Sequence, residues 1–184
     1  MTAKGGLLSS AGVMLALPCI LFGAACSTAP QEGATPTTSA SAATGKVVTE
    51  SRDLDPFKLT LAVGPAQVMY TGAEAAAQKP KHGYVTVFGG RSNIPPGQPA
   101  PGDHHIRLHV YDAVTTEVVA NAQVFISITD PSGKVTAVPV ITMQDILVGH
   151  RDFHYGNNVT LAPGSYTVEV TVNGQRATFR VAVE

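Results

Sequence analysis

Six histidines stand in a chain of 184 residues, only 14% of them charged. Two stretches have the residue types and spacing to bind a metal ion. In the first, His105-Ile106-Arg107-Leu108-His109-Val110, polar and apolar residues alternate. A strand there sends Ile106, Leu108 and Val110 to one face and His105, Arg107 and His109 to the other. His105 and His109 are then about 13 Å apart, at about 3.3 Å per residue. Imidazole nitrogens bind metals at about 2 Å, so only one of the two joins any given site. The second stretch runs from Met143 to Gly156 and holds a thioether, the imidazoles of His150 and His154, and the carboxylates of Asp145 and Asp152. Thioether with imidazole suits copper, whereas imidazole with carboxylate suits iron, manganese or zinc. Without a metal, Met143 fills the core, His150 and Asp152 are solvated, and His154 bonds locally.

Other chemistries are less well supplied. The two cysteines, Cys19 and Cys26, both lie near the start, so the body of the chain has no thiolate ligand, disulfide or Cys nucleophile. No G-x-S-x-G elbow marks a serine nucleophile. The paired G-x-H-x-H motif of copper–zinc superoxide dismutases is missing too. No enzymatic activity is expected. Twelve Lys and Arg against thirteen Asp and Glu leave a formal charge of −1, which argues against nucleic acid as a partner. An apolar share of 44% is enough to bury a real core.

The elements that must position these residues read as strands. Phe57, Leu59, Leu61 and Val63 alternate with Lys58, Thr60 and Ala62. Ala66–Thr71 and Tyr84–Phe88 follow, with a short helical turn at Ala73–Gln78. Gly89–Asp103 is a Pro/Gly-rich loop, long enough to suggest a function. Further strands are expected at His105–Tyr111, Ala122–Thr129, Lys134–Thr142, Ser165–Val172 and Gln175–Val183. Asn173-Gly174 between the last two signals a type I′ hairpin. Short strands with regular turn punctuation and almost no helix predict an antiparallel β-sandwich from residue 54 to 184.

The N-terminal thirty residues have the layout of an export signal: Lys4, an apolar run from Gly5 to Phe22, then Gly23-Ala24-Ala25-Cys26. Small residues before a cysteine resemble a bacterial lipobox, although Gly23 stands where Leu is usual. Residues 1–25 are expected to be a lipoprotein-type signal, with Cys26 carrying the lipid on the outer side of a bacterial cell membrane. Plain cleavage after Ala25 and an uncleaved anchor are the alternatives. Between Ser27 and Gly45 only Gln31 and Glu32 are not Ala, Ser, Thr, Pro or Gly, so residues 26–53 read as a flexible tether.

The run His154-Tyr155-Gly156-Asn157-Asn158-Val159, followed by Gly164-Ser165-Tyr166-Thr167-Val168, resembles the periplasmic or lipid-anchored accessory proteins of bacterial high-affinity iron transport. The resemblance spans the His105 strand to the C-terminus. It implies an immunoglobulin-like or cupredoxin-like all-β sandwich of about seven to nine strands, a copper or iron ion, a homodimer, and an iron permease as membrane partner. In that family one strand carries His, an apolar residue and Glu; here His105 matches and Arg107 replaces the Glu. The family's second His is His154, and Leu147 occupies the place of its Met ligand. His105 and His154 therefore carry over, with Met143 and His150 as further candidates.

A rival reading is a metal-free sandwich that binds another envelope protein or a small ligand, using Arg91 and Asn93 of the long loop. A third is a general extracytoplasmic copper-handling sandwich. Convergence of His105 and His154 within about 5 Å of one point would favour metal. Arg107 in that space, paired with Asp145 or Asp152, would favour the rival.

Overall fold

The computed structural model describes residues 46–87 and 99–184. The expected signal, Cys26, the tether as far as residue 45, and Arg91 and Asn93 of the long loop lie outside the described residues. Eleven strands and one short helix follow in order: β1 (Val48–Leu54), β2 (Phe57–Pro65), β3 (Met69–Tyr70), α1 (Gly72–Gln78), β4 (Tyr84–Thr86), β5 (Asp103–Asp112), β6 (Val124–Thr129), β7 (Val135–Val138), β8 (Ile141–Asp145), β9 (His154–Thr160), β10 (Gly164–Val172) and β11 (Gln175–Val183). They form a seven-stranded sheet, β1-β2-β5-β9-β8-β4-β3, and a four-stranded sheet, β11-β10-β6-β7. Every pairing is antiparallel except β3 with β4. The fold is the all-β sandwich read from the period-two pattern, with more strands than the seven to nine expected.

The core lies between the sheets. Leu59, Leu61, Ile106, Leu108, Val110 and Tyr155 of the larger sheet meet Ile126, Val168, Val170, Phe179 and Val181 of the smaller one, all buried. The hairpin at Asn173-Gly174 forms as expected: both residues take positive φ, 49° and 88°, and Val172 pairs with Gln175. The α1 turn is closed by a capping box, in which Thr71 Oγ1 accepts from Glu74 N–H and Glu74 accepts from Thr71 N–H.

Three local readings change. Residues 48–53 belong to the sheet rather than the tether, because β1 pairs with β2 from Val48↔Val63 to Leu54↔Phe57. Lys134–Thr142 is not one strand: β7 joins the smaller sheet and β8 the larger, with Pro139 between them. Proline has no N–H for a ladder, so the chain leaves one sheet there and enters the other. Residues 154–160, which fall in no expected strand, form β9 at the centre of the larger sheet. Polar residues on both faces of β9 hide its alternation. The inward Asn157 is buried, donating from Nδ2 to Pro139 O at 2.8 Å.

Candidate metal centre

The outer face of the larger sheet, away from the main core, carries the chemistry. Registers Leu108↔Tyr155 and His105↔Asn158 place β9 directly beside β5. Alternation then puts His105, Arg107 and His109 on the same face as His154, Gly156 and Asn158. On the other side of β9, Met143 of β8 is the direct partner of His154, and Tyr84 of β4 pairs with Asp145 of β8. Met69, Tyr84, Ile141 and Met143 form a second, small buried cluster there. The sheet needs Gly156 at this point, because a Cβ would collide with the carbonyl oxygen of Ile106.

His105 and His154 converge. Their Nε2 atoms are 3.3 Å apart, and the side chains are 4% and 0% exposed. Hydrogen bonds at the opposite ring nitrogens fix both tautomers. His154 Nδ1 lies 2.6 Å from the Asp152 backbone oxygen, which can only accept, so Nδ1 carries the proton. His105 Nδ1 lies 3.0 Å from Asn158 Oδ1. That atom is an oxygen, because it accepts from Gln67 N–H while Asn158 Nδ2 donates to Gln67 O. His105 Nδ1 is therefore also a donor. Each Nε2 presents a lone pair, and the two lone pairs face one another with no proton to share.

Burial, and then the neighbouring His154, push the His105 imidazole down to about 3. Burial likewise holds His154 below its usual range, against the opposing pull of Asp152. Both rings are neutral at neutral pH, the state a metal ligand requires. Tyr84 covers the pair, its ring 4.8 Å from that of His105 and 4.6 Å from that of His154.

Asp152 organises the far side. It accepts from His109 Nε2 at 3.3 Å and from Asp145 N–H at 3.1 Å, and its Oδ2 lies 3.2 Å from His154 Nδ1. Burial pushes its carboxyl up, but the hydrogen bonds from His109 and His154 and the charge of Arg107 outweigh that and hold it well below the usual range. His109, Asp152 and His154 offer ligand atoms within 4.8 Å of one another, so two histidines and one aspartate form a group that could hold a metal ion. In the tautomer set here, His154 Nδ1 is occupied by its proton. Asp152 and His109 then stand behind His154 as its orienting partners, and Nε2 is the atom left for a cation.

Arg107 is paired with Asp152 as well, at 3.5 Å, and donates to Tyr84 Oη at 3.0 Å. It stands beside the two imidazoles, since a gap of 3.3 Å admits no guanidinium. A cleft of about 40 Å³ is lined by Val47, Ala62, Gly64, Pro65, Gln67, Tyr84, His105 and Arg107, and His154 is not part of its wall. Of the other candidates, Met143 is buried next to His154 in the register. His150 is exposed on the 3₁₀ turn Gly149–Asp152, where its ring packs on Phe153 of the main core.

Sequence reasoning named His105 and His154 as ligands, weighed His109 as the alternative to His105 and noted Asp152 as a nearby carboxylate, but did not single out Tyr84 or Asn158. One signal was available. Asn158 lies four residues from His154, the spacing that shares one face of a strand.

No protein-family model matches the chain, and no curated protein is significantly similar to it.

Proposed function

We propose that this domain captures a transition-metal ion between His105 and His154 and passes it on, as an extracytoplasmic, lipid-anchored accessory to metal uptake. One observation carries the reading: two buried, neutral imidazoles face each other through Nε2 lone pairs 3.3 Å apart. Two metal–nitrogen bonds of 2.0–2.1 Å at a tetrahedral angle span about 3.3–3.4 Å. The pair is thus set at the bite of a tetrahedral ion, and its orienting hydrogen bonds come from Asn158 and Asp152.

Met143 is the third donor in this reading, since it stands opposite His154 in the sheet. Thioether and imidazole together point to copper, and iron is the alternative cargo. A neutral donor set holds a cation without a bound carboxylate, which favours release to a partner. The iron-transport resemblance and the lipobox-like Cys26 support a membrane permease as that partner, with a second copy of the chain as an additional one.

The test is calorimetric titration of the protein with Cu(II), Zn(II), Mn(II) and iron, alongside His105→Ala and His154→Ala. Binding at micromolar or tighter affinity, lost in both variants, is the expected result. Failure of every ion to bind a folded sample would overturn the reading. The Arg107–Asp152 ion pair favours the metal-free binding module, and that result would leave the module standing.

A further inference from the structure

The two nitrogens that face each other are nearly closed off from solvent. His105 is 4% exposed and His154 0%, and the Tyr84 ring lies within 4.8 Å of both. An ion held there needs a way in. Beside His154, partial exposure remains at His109, 11%, Asp152, 13%, and Arg107, 30%.

His109 and Asp152 belong to a second ligand set built on the same ring. Leu108↔Tyr155 ends the ladder between β5 and β9, so His109 and His154 are the next positions on the shared face. His154 thus stands between two imidazoles, its ring centroid 5.5 Å from that of His105 and 5.5 Å from that of His109. His105 and His109 themselves are about 13 Å apart along β5 and cannot hold one ion together. On the His109 side, Asp152 joins the two rings. Its Oδ1 lies 3.3 Å from His109 Nε2, and its Oδ2 lies 3.2 Å from His154 Nδ1. Both spacings fit the edge of a tetrahedral ion, about 3.3–3.4 Å. This set carries a carboxylate, which the His105–His154 pair lacks, so it attracts a cation from solution more strongly. Arg107 is the resident cation there. Its contact with Asp152 is long, at 3.5 Å, and its 3.0 Å bond to Tyr84 still holds it when the carboxylate is taken.

Resting on the metal reading above, we propose that His109 and Asp152, with His154, form an outer station that captures the divalent transition-metal ion and passes it across the His154 ring to His105. The two stations use opposite nitrogens of one imidazole, so they fill in turn and not together. In the empty site the His154 proton is on Nδ1, given to the Asp152 backbone oxygen. Capture moves that proton to Nε2, where the His105 Nε2 lone pair, 3.3 Å away, accepts it. Passing the ion inward returns the proton to Nδ1. One ion and one proton trade places on a neutral ring, which ends in the tautomer it began with.

The chain has five tyrosines and no tryptophan, so Cu(II) quenching of tyrosine fluorescence follows loading of the full-length protein by stopped flow. Wild type is compared with His109→Gln, which keeps an N–H for Asp152 and lacks the imidazole lone pair, with circular dichroism to confirm folding. Capture should slow at least about tenfold in His109→Gln, while the calorimetric affinity shifts by less than about threefold. Dissociation must then slow as well. His105→Ala, which removes the inner station, should keep one Cu(II) at least about a hundredfold more weakly than wild type, with a changed visible spectrum. Adding His109→Gln to it should abolish that binding. Equal capture rates in wild type and His109→Gln overturn the proposal. An affinity loss that matches the slower capture gives His109 a structural role and also overturns it. No residual binding by His105→Ala at about 1 mM Cu(II), or two tight equivalents in wild type, does the same and leaves the two-histidine site intact. Absence of any binding by wild type overturns the metal reading and this one with it.

Discussion

The two faces of the larger sheet are built from the same strands and held by different physics. Residues of β5 and β9 alternate between them, so Ile106, Leu108 and Tyr155 point into the main core while His105, Arg107 and His154 point away from it. On the inner face stability follows apolar area and packing, which are non-directional and tolerant of shape. On the outer face each group has a named partner: Asn158 for His105, Asp152 for His154, Tyr84 for Arg107. The inner face holds the chain together, and the outer face sets proton positions and charge. A substitution should therefore reveal its face by what it removes.

The sharpest way to break the comparison is at the point where both faces depend on one backbone contact. Gly156→Ala drives a Cβ into the Ile106 carbonyl, and the β5–β9 ladder has no flexible atom to yield. The expected loss exceeds the about 3 kcal/mol of ordinary overpacking, measured by urea denaturation, and metal binding goes with it. Leu108→Ala, wholly buried on the inner face, should cost about 2–5 kcal/mol. It should leave metal affinity nearly unchanged in the folded fraction, and a large affinity change would show that the faces are coupled.

On the outer face the effects reverse. His154→Ala should abolish metal binding while costing about 1–3 kcal/mol, through the partner it takes from Asp152. A binding curve indistinguishable from wild type would contradict the site.

Titration sharpens the contrast further. Folding holds His105 down to about 3, whereas the unfolded chain takes up that proton near 6.5. Between these values the unfolded state binds more protons, so stability falls as pH drops from about 6.5 towards 3, by up to about 1.4 kcal/mol per pH unit for one proton. His154 shifts in the same direction. Asp152, also held low when folded, stabilises above its unfolded value and adds a further loss below about pH 4. His105→Gln should flatten the upper part of this acid limb in denaturation measured between pH 7 and 4. An unchanged slope would place the acid sensitivity elsewhere. The smallest effect belongs to His150→Ala: an exposed ring outside the centre should change stability by less than about 0.5 kcal/mol, with metal affinity unaltered.

Period-two alternation was readable wherever one face was apolar, as in β2, β5, β10 and β11. It already placed His105, Arg107 and His109 on one side of their strand. It failed at β9, where His154, Asn157 and Asn158 are polar on both faces and Gly156 contributes no side chain. It also failed at Pro139, since alternation within a strand says nothing about which sheet the strand joins. His105 and His154 entered through a local motif resemblance, not through any signal that they touch. Asp152 was visible only as a nearby carboxylate.

The chain's own order of residues thus determined the all-β class, most of the strands, the Asn173-Gly174 hairpin, and the side of β5 that His105 and His109 occupy. These are local properties, set by alternation and by backbone preferences over a few residues. Tertiary structure decided that β9 lies between β5 and β8, bringing His105, His154 and Met143 to one face. It also decided which nitrogen of each imidazole keeps a lone pair, through Asp152 and Asn158. The reason is that a backbone ladder will accept almost any strand as its neighbour. The choice of neighbour is made by non-local burial, and the site depends on that choice.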